Sequence, residues 1–386
     1  KILMIGQKGI PAQYGGIEKH VEELAVELVK KGNDVTVYSR SWYTKKSFTE
    51  WNKIKIVHTN GIHTKNLDAI THTLTATIHA LFQKPDIIHY HGVGPALLSW
   101  IPRIFLPKTK VVATFHCIDR YHQKWSWLAK LFLTLGERAA CLFPHATISV
   151  SHTIKNYCLN EYKKETTYIP NGARVIKSSN PALLKKFNLE TKKYIAMVSR
   201  LVPHKGAHYL IAAWQQIKKF NPKLIKGYKL AIVGDSAFTD TYVAGLKKFA
   251  EKDNDIVFTG WLQGETLDTV FKETALLVHP SENEGLPLTV LSGMTAGVPV
   301  LVSNIAEHLE LIDDKNFTFS NTDVKDLTQK IINILENPAL ATEASITNKK
   351  KTQITYSWQK IGEQTDKLYT DLLEEKLPKK MVTKTA

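Results

Sequence analysis

His279-Pro280-Ser281-Glu282-Asn283-Glu284-Gly285-Leu286-Pro287-Leu288-Thr289-Val290-Leu291-Ser292-Gly293-Met294-Thr295-Ala296-Gly297-Val298-Pro299-Val300 is the stretch around which the chain is organised. An apolar run, Ala275 to Val278, feeds a polar turn holding Glu282, Glu284 and Gly285. A Pro then opens a short apolar helix that ends at Gly297. The first-turn N–H groups of such a helix point outward, and a strand end that delivers them to a crevice makes a place for phosphate. Glu284 repels phosphate, so its carboxylate is read as accepting hydrogen bonds from hydroxyls beside it. Hydroxyls next to a phosphate point to a sugar nucleotide.

The strand-and-helix rhythm continues on both sides. Strand-like runs are read at Lys1–Gly6, Val35–Tyr38, Ile54–His58, Ile87–His91, Val111–Phe115, Ala146–Val150 and Thr166–Ile169, with a helix at Ile17–Lys31 stopped by Gly32. The pattern starts over with Tyr194–Ser199, Lys229–Val233, Ile256–Phe258, Leu276–His279 and Val300–Val302. This alternation predicts an α/β fold of two Rossmann-like doubly wound domains with a ligand in the cleft between them. A length of 386 residues suits two cores. The polar break Ser178-Ser179-Asn180-Pro181 sets the domains at 1–178 and 179–357. An amphipathic helix follows over 358–376, and residues 377–386 form a basic tail.

Ser199-Arg200-Leu201-Val202-Pro203-His204-Lys205-Gly206 carries two cations between a strand and a helix. Arg200 offers a planar fork and Lys205 a point charge, and together they can grip a diphosphate. Gly15-Gly16-Ile17-Glu18 follows the first strand, but G-x-G-x-x-G and the P-loop pattern are absent, which argues against dinucleotide and ATP sites.

Three of these stretches resemble the retaining glycosyltransferases of family four, which have the GT-B fold. They are P-S-x-x-E-G-L-P-L with G-x-P-V over residues 280–300, R-L-x-x-x-K-G over 200–206, and I-P-N-G over 169–172. The resemblance implies a hexosyl transfer from a nucleoside-diphosphate sugar to a glycan or lipid-linked acceptor in envelope polysaccharide synthesis. It assigns the chemistry to His116, Arg200, Lys205 and Glu284. It assigns donor contacts to Gly15, Gly16, Gly285, Leu286, Leu288, Ser292 and Glu307, and it implies that helix 358–376 packs back on the first domain. Two positions depart from the family. Ser292 stands where the second Glu of the signature belongs, and Cys117 stands where an Asp follows the family histidine, the next acid being Asp119. Pro287 stands where some members have Gly and is read as removing one N–H donor. These departures keep open a sugar-nucleotide epimerase or phosphorylase on the same fold and a non-catalytic nucleotide-sugar binding protein.

No metal and no cofactor are expected. Asp253-Asn254-Asp255 is spelled like a metal-binding D-x-D but lies in a polar turn, and His89-x-His91 reads as a strand end rather than a ligand pair. Arg200 and Lys205 would do an ion's work as the leaving diphosphate gains charge. Cys117, Cys141 and Cys158 lack C-x-x-C spacing and fit a reducing compartment. No leader and no run approaching about 18 apolar residues is seen, so the chain is placed in the cytoplasm. The excess charge is uneven: residues 1–180 carry 24 Lys and Arg against 12 Asp and Glu, and residues 181–386 carry 27 against 24. No nucleic-acid partner is expected. Leu97–Lys108 and Trp125–Leu133 mix Trp, aliphatics and cations, and read first as sheet-packing helices. Either one, if exposed, would join the basic N-terminal domain to the inner membrane face.

Overall fold

The computed structural model describes residues 1–64, 67–118, 120, 127–176 and 178–375. The expectations for Asp119, for Trp125 and Ser126, for Lys376 at the end of the last helix and for the tail 377–386 lie outside them, as do the side chains of Leu128 and Ala129. The chain forms two compact units, Lys1–Asn171 with the helix from Trp358, and Gly172–Ser357.

In the first unit eight strands lie in the spatial order Glu50–Trp51, Ile54–Thr59, Val35–Arg40, Ile2–Ile5, Ile87–His91, Lys110–Phe115, Ala146–Ser149 and Thr167–Tyr168. All pairs are parallel except the two-residue edge strand Glu50–Trp51, which turns back on Ile54–Thr59. The order reverses beside Ile2–Ile5. The central strands are buried on both faces, which is why they read as unbroken apolar runs. Helix Gly16–Lys30 buries Val21, Leu24, Ala25 and Leu28, one stripe at helical spacing. Helix Trp358–Leu373 buries Trp358, Ile361, Thr365, Leu368 and Leu372. The two helices meet closely: a Cβ at Gly362 would stand 2.5 Å from the Cβ of Glu27. Asn33 Nδ2 also donates to Asp366 Oδ1 at 2.7 Å.

The second unit has a six-stranded sheet in the order Ile256–Gly260, Lys229–Val233, Tyr194–Val198, Leu276–His279, Val300–Ser303 and Thr318–Phe319. Its order reverses beside Tyr194–Val198. The change of unit comes at Asn171–Gly172 and not near Ser178, because the segment after Gly172 is already tied to the second unit. Ala173 N–H donates to Tyr356 O at 2.5 Å, and Arg174 pairs with Asp268. The polar break at 178–181 instead opens a short 3-10 helix, Pro181–Phe187, capped by Asn180.

Candidate functional site

In open α/β sheets the place outside the carboxyl ends of the strands where the order reverses is where ligands bind. In the second unit that place lies between Tyr194–Val198 and Leu276–His279, which pair through Ile195 and Leu276. The two stretches singled out above leave from these two strand ends. The 200–206 loop turns through Pro203–Lys205 and reaches Gly206 at φ 75°. A Cβ there would stand 2.1 Å from Pro280 O, so only glycine lets the loop lie against the neighbouring turn. The same approach is fastened by Glu282 N–H donating to His204 O at 2.8 Å.

Lys205 and Glu284 are thereby brought together. The Lys205 ammonium donates to Glu284 Oε1, and His279 Nε2–H donates to the same oxygen at 2.7 Å. Burial alone would raise the Glu284 carboxyl, yet the Lys205 charge and the His279 hydrogen bond hold it well below the usual carboxylate range. Glu284 is therefore a fixed, ionised acceptor. Arg200 is exposed and has no ion-pair partner among the described residues. Its guanidinium is free to fork onto an anion.

Gly285 and Leu286 are buried in the turn, and helix Leu288–Ala296 begins after it. Pro287 is the N-cap of this helix and, having no N–H, leaves Leu288 as the first backbone donor of the helix start. That first turn has no side-chain cap. Leu288 thus presents its N–H at the helix start. Gly293 lets the helix sit on the sheet, since a Cβ there would meet Leu277 Cδ2 at 2.4 Å. Ser292 Oγ donates to Leu288 O at 2.7 Å, spending the hydroxyl proton on its own helix. Glu307 is buried at the start of helix Ala306–Leu309. Burial first, and then the Glu284 and Glu310 charges, push its carboxyl up to about 7. His308, unremarked in the sequence, stands with its ring 5.3 Å from that of His279 and is held by Ser303. Asp253 and Asp255, the D-x-D spelling, both meet the Lys218 ammonium.

The first unit places His116 at the carboxyl end of Lys110–Phe115, buried, with Nε2 3.3 Å from His91 Nδ1. His20 lies against it, ring centroids 4.7 Å apart. Gly15, at φ 102°, is the N-cap of helix Gly16–Lys30. Glu18 fills the turn: a Cβ at Gly15 would stand 1.9 Å from Glu18 Oε2, and Lys8 N–H donates to Glu18 Oε1 at 3.1 Å. A carboxylate at the Gly15–Gly16 turn opposes a phosphate there and suits a hydroxyl-bearing ligand. His20 carries no signal of its own in the sequence, and His91 is read there only as part of a strand end. The available signal was the period-two pair His89 and His91, which puts both rings on one face of a strand.

A glycosyl transferases group 1 model matches residues 180–352, and a Glycosyltransferase Family 4 model matches residues 14–175. The chain belongs to the group 1 glycosyltransferases of family four. It is 24% identical over 296 residues to O-antigen chain mannosyltransferase B of Escherichia coli, which spans 72% of this chain and 73% of that one. Sucrose-phosphate synthase of Thermosynechococcus elongatus superposes with a TM-score of 0.82 at 20% identity, covering 97% of this glycosyltransferase and 99% of that chain. HepE of Anabaena in complex with UDP and glucose superposes with a TM-score of 0.77 at 19% identity, covering 96% and 99%. Both structures share the two-domain α/β architecture expected from the strand pattern, and with it the GT-B fold that the family resemblance implied. Among the described residues no helix of this glycosyltransferase is long and apolar enough to cross a membrane.

Proposed function

We propose that the protein is a retaining, metal-independent hexosyltransferase that moves a sugar from a nucleoside-diphosphate sugar to a glycan or lipid-linked acceptor of the cell envelope. The observation that carries this reading is the Lys205–Glu284–His279 contact at the reversal point of the second sheet, beside the unpaired Arg200. In this reading Arg200, Lys205 and the N–H groups of the Leu288–Ala296 helix start receive the diphosphate. Glu284, with Gly285 and Leu286 shaping its turn, receives sugar hydroxyls. The leaving diphosphate gains negative charge as the glycosidic bond breaks, and cations already in place favour that charge most in the transition state. His116 meets the donor sugar. Gly15 and Gly16 serve the acceptor side, because Glu18 holds a negative charge at their turn. HepE, whose complex holds UDP and glucose, and the O-antigen mannosyltransferase suggest the substrate classes.

An acceptor on a lipid at the inner membrane face fits the first unit's surface. Ile104 and Phe105 are each 63% exposed, and Trp127 is 77% exposed. Exposed Arg103 and Lys130 flank them. The sheet-packing reading of these helices thus leaves their outer faces unaccounted for, while burial in an anionic interface would cover both kinds of side chain.

One observation favours the rival reading of a non-catalytic binding protein. The Ser292 hydroxyl is turned to Leu288 O and gives a ribose less than a carboxylate would. A single experiment separates the readings. The protein is incubated with a panel of nucleotide sugars and glycan or polyprenol-linked acceptors, with and without EDTA, and the product anomer is assigned by NMR. Transfer with retained configuration that survives EDTA and is lost in Arg200→Ala supports the proposal. Binding without transfer supports the rival, and transfer abolished by EDTA overturns metal independence.

A further inference from the structure

The second unit carries a cleft that none of the chemistry above uses. One wall is a face of the helix Pro338–Thr355, where Leu340, Glu343, Ala344, Thr347 and Asn348 recur at helical spacing. The other wall is the segment 312–314, which follows the helix Ala306–Leu309. Between them lies a space of about 230 Å3. Both walls are fixed. Lys351, from the helix, donates its ammonium protons to Leu311 O at 2.8 Å and to Glu310 O at 3.2 Å. Ile312 N–H donates to His308 O at 2.8 Å, and Asn316 N–H donates to Asp314 Oδ1 at 2.8 Å.

The residues that this helix buries are all polar: Ser345, Asn348 and Thr352. Ser345 and Thr352 spend their hydroxyl protons on their own helix, on Ala341 O and Lys349 O. Asn348 has no such outlet. It is 9% exposed, and its carboxamide has no hydrogen-bond partner among the described residues. A buried amide is costly to leave unsatisfied, and this one lines the cleft. Asp313, Asp314 and Glu343 line it too, and none of the three has an ion-pair partner among the described residues, in a chain whose net charge is +15. Ile312, Leu340 and Ala344 supply the apolar part of the lining.

We infer that this cleft binds a small aliphatic polyamine, its ammonium groups on the carboxylates and the Asn348 carbonyl and its methylenes on the apolar lining. Three unpaired carboxylates make a negative spot on a basic molecule, which selects a cation. A single metal ion fits less well, because Mg2+ or Ca2+ gathers its oxygens around one point at about 2–2.6 Å. Among the described residues these three carboxylates do not each bring an oxygen within 4.8 Å of the others. Ammonium groups joined by methylenes span separated carboxylates, and each terminal ammonium offers three N–H donors, of which Asn348 Oδ1 accepts one. The space suits a ligand of that size, being below the ~300–1,000 Å3 of drug-sized pockets. The cleft shares no residue with Lys205, Glu284 and His279, so the assignment holds whatever the donor site proves to bind.

The test is calorimetric titration of the full-length protein with spermidine at low ionic strength, repeated in excess Mg2+, with glucose as a neutral comparator. One equivalent should bind per chain with and without Mg2+, and glucose should not bind in the cleft. Asn348→Ala and Glu343→Gln should each weaken spermidine binding about tenfold. Glu251→Gln, which removes an exposed carboxylate elsewhere in the unit, should leave it unchanged. Far-UV circular dichroism checks the fold of each variant, and Glu343→Gln, at an exposed position, carries the test if Asn348→Ala unfolds. No binding, binding of several equivalents that ignores either substitution in the folded protein, or a site that excess Mg2+ empties would each overturn the assignment. So would binding of glucose that is lost in Asn348→Ala, which would give the cleft to a sugar.

Discussion

Glu284 shows how one residue takes its role from neighbours that are distant in sequence. Its carboxylate is buried, which would favour the neutral form, but Lys205 from 79 residues upstream and His279 at the strand end keep it ionised. Glu307 nearby is pushed the other way, so two carboxylates of one site divide into a charged acceptor and a group that holds a proton near neutrality. Ser292 is a third case. It sits in the position of a family carboxylate, but its hydroxyl is bonded to its own helix. Restoring the charge in Ser292→Glu is expected to tighten binding of the nucleotide diphosphate about tenfold, or about 1.4 kcal/mol. Isothermal calorimetry decides the point, and an unchanged affinity would mean that ribose is held by other groups.

At the scale of elements, two glycines set the site. Gly293 lets the short helix approach strands Leu276–His279 and Val300–Ser303, which brings its N-terminus to the strand ends. Gly206 closes the cation loop in a left-handed conformation with its α-carbon pressed toward Pro280 O. Gly206→Ala is expected to cost about 1–2 kcal/mol from backbone conformation alone, and more from the contact. Relief of the clash must move Lys205 away from Glu284. The variant should therefore lose nucleotide-sugar affinity as well as melting temperature. A variant that melts early but binds its donor normally would show that the loop's position is not what matters.

On the scale of the whole molecule, the uncommon feature is its store of buried histidine. In the folded state burial depresses His20 to about 4 and His89 and His308 to about 3, with His91 and His116 also held well below their ordinary value. An unfolded histidine titrates near 6.5. Between those values the unfolded chain binds protons that the folded one refuses. Stability is therefore complete above about pH 6.5 and is lost as the pH falls toward 4, by about 1.4 kcal/mol per pH unit for each group. Calorimetry from neutral to mildly acidic pH should show a steeply falling melting temperature with proton uptake on unfolding. A flat profile over that range would show that water reaches these rings.

Apolar runs buried on both faces, broken by glycine and proline at regular spacing, determined by themselves that the chain forms two doubly wound domains. The reason is local: strand and helix periodicity and turn chemistry are written in neighbouring residues. The cation-bearing loop at 200–206 and the 280–297 turn were legible for the same reason. The unit boundary at Asn171 was not, because it depends on Ala173 pairing with Tyr356 across a long interval of chain. The short edge strands Glu50–Trp51 and Thr318–Phe319 carry too few residues to show a period. Only the tertiary structure decided that Lys205 meets Glu284, that Glu18 fills the turn beside Gly15, and that His20, His91 and His116 converge. Such meetings arise where parallel strands from separate parts of the chain end side by side, and no spacing along the sequence encodes the distance between their ends.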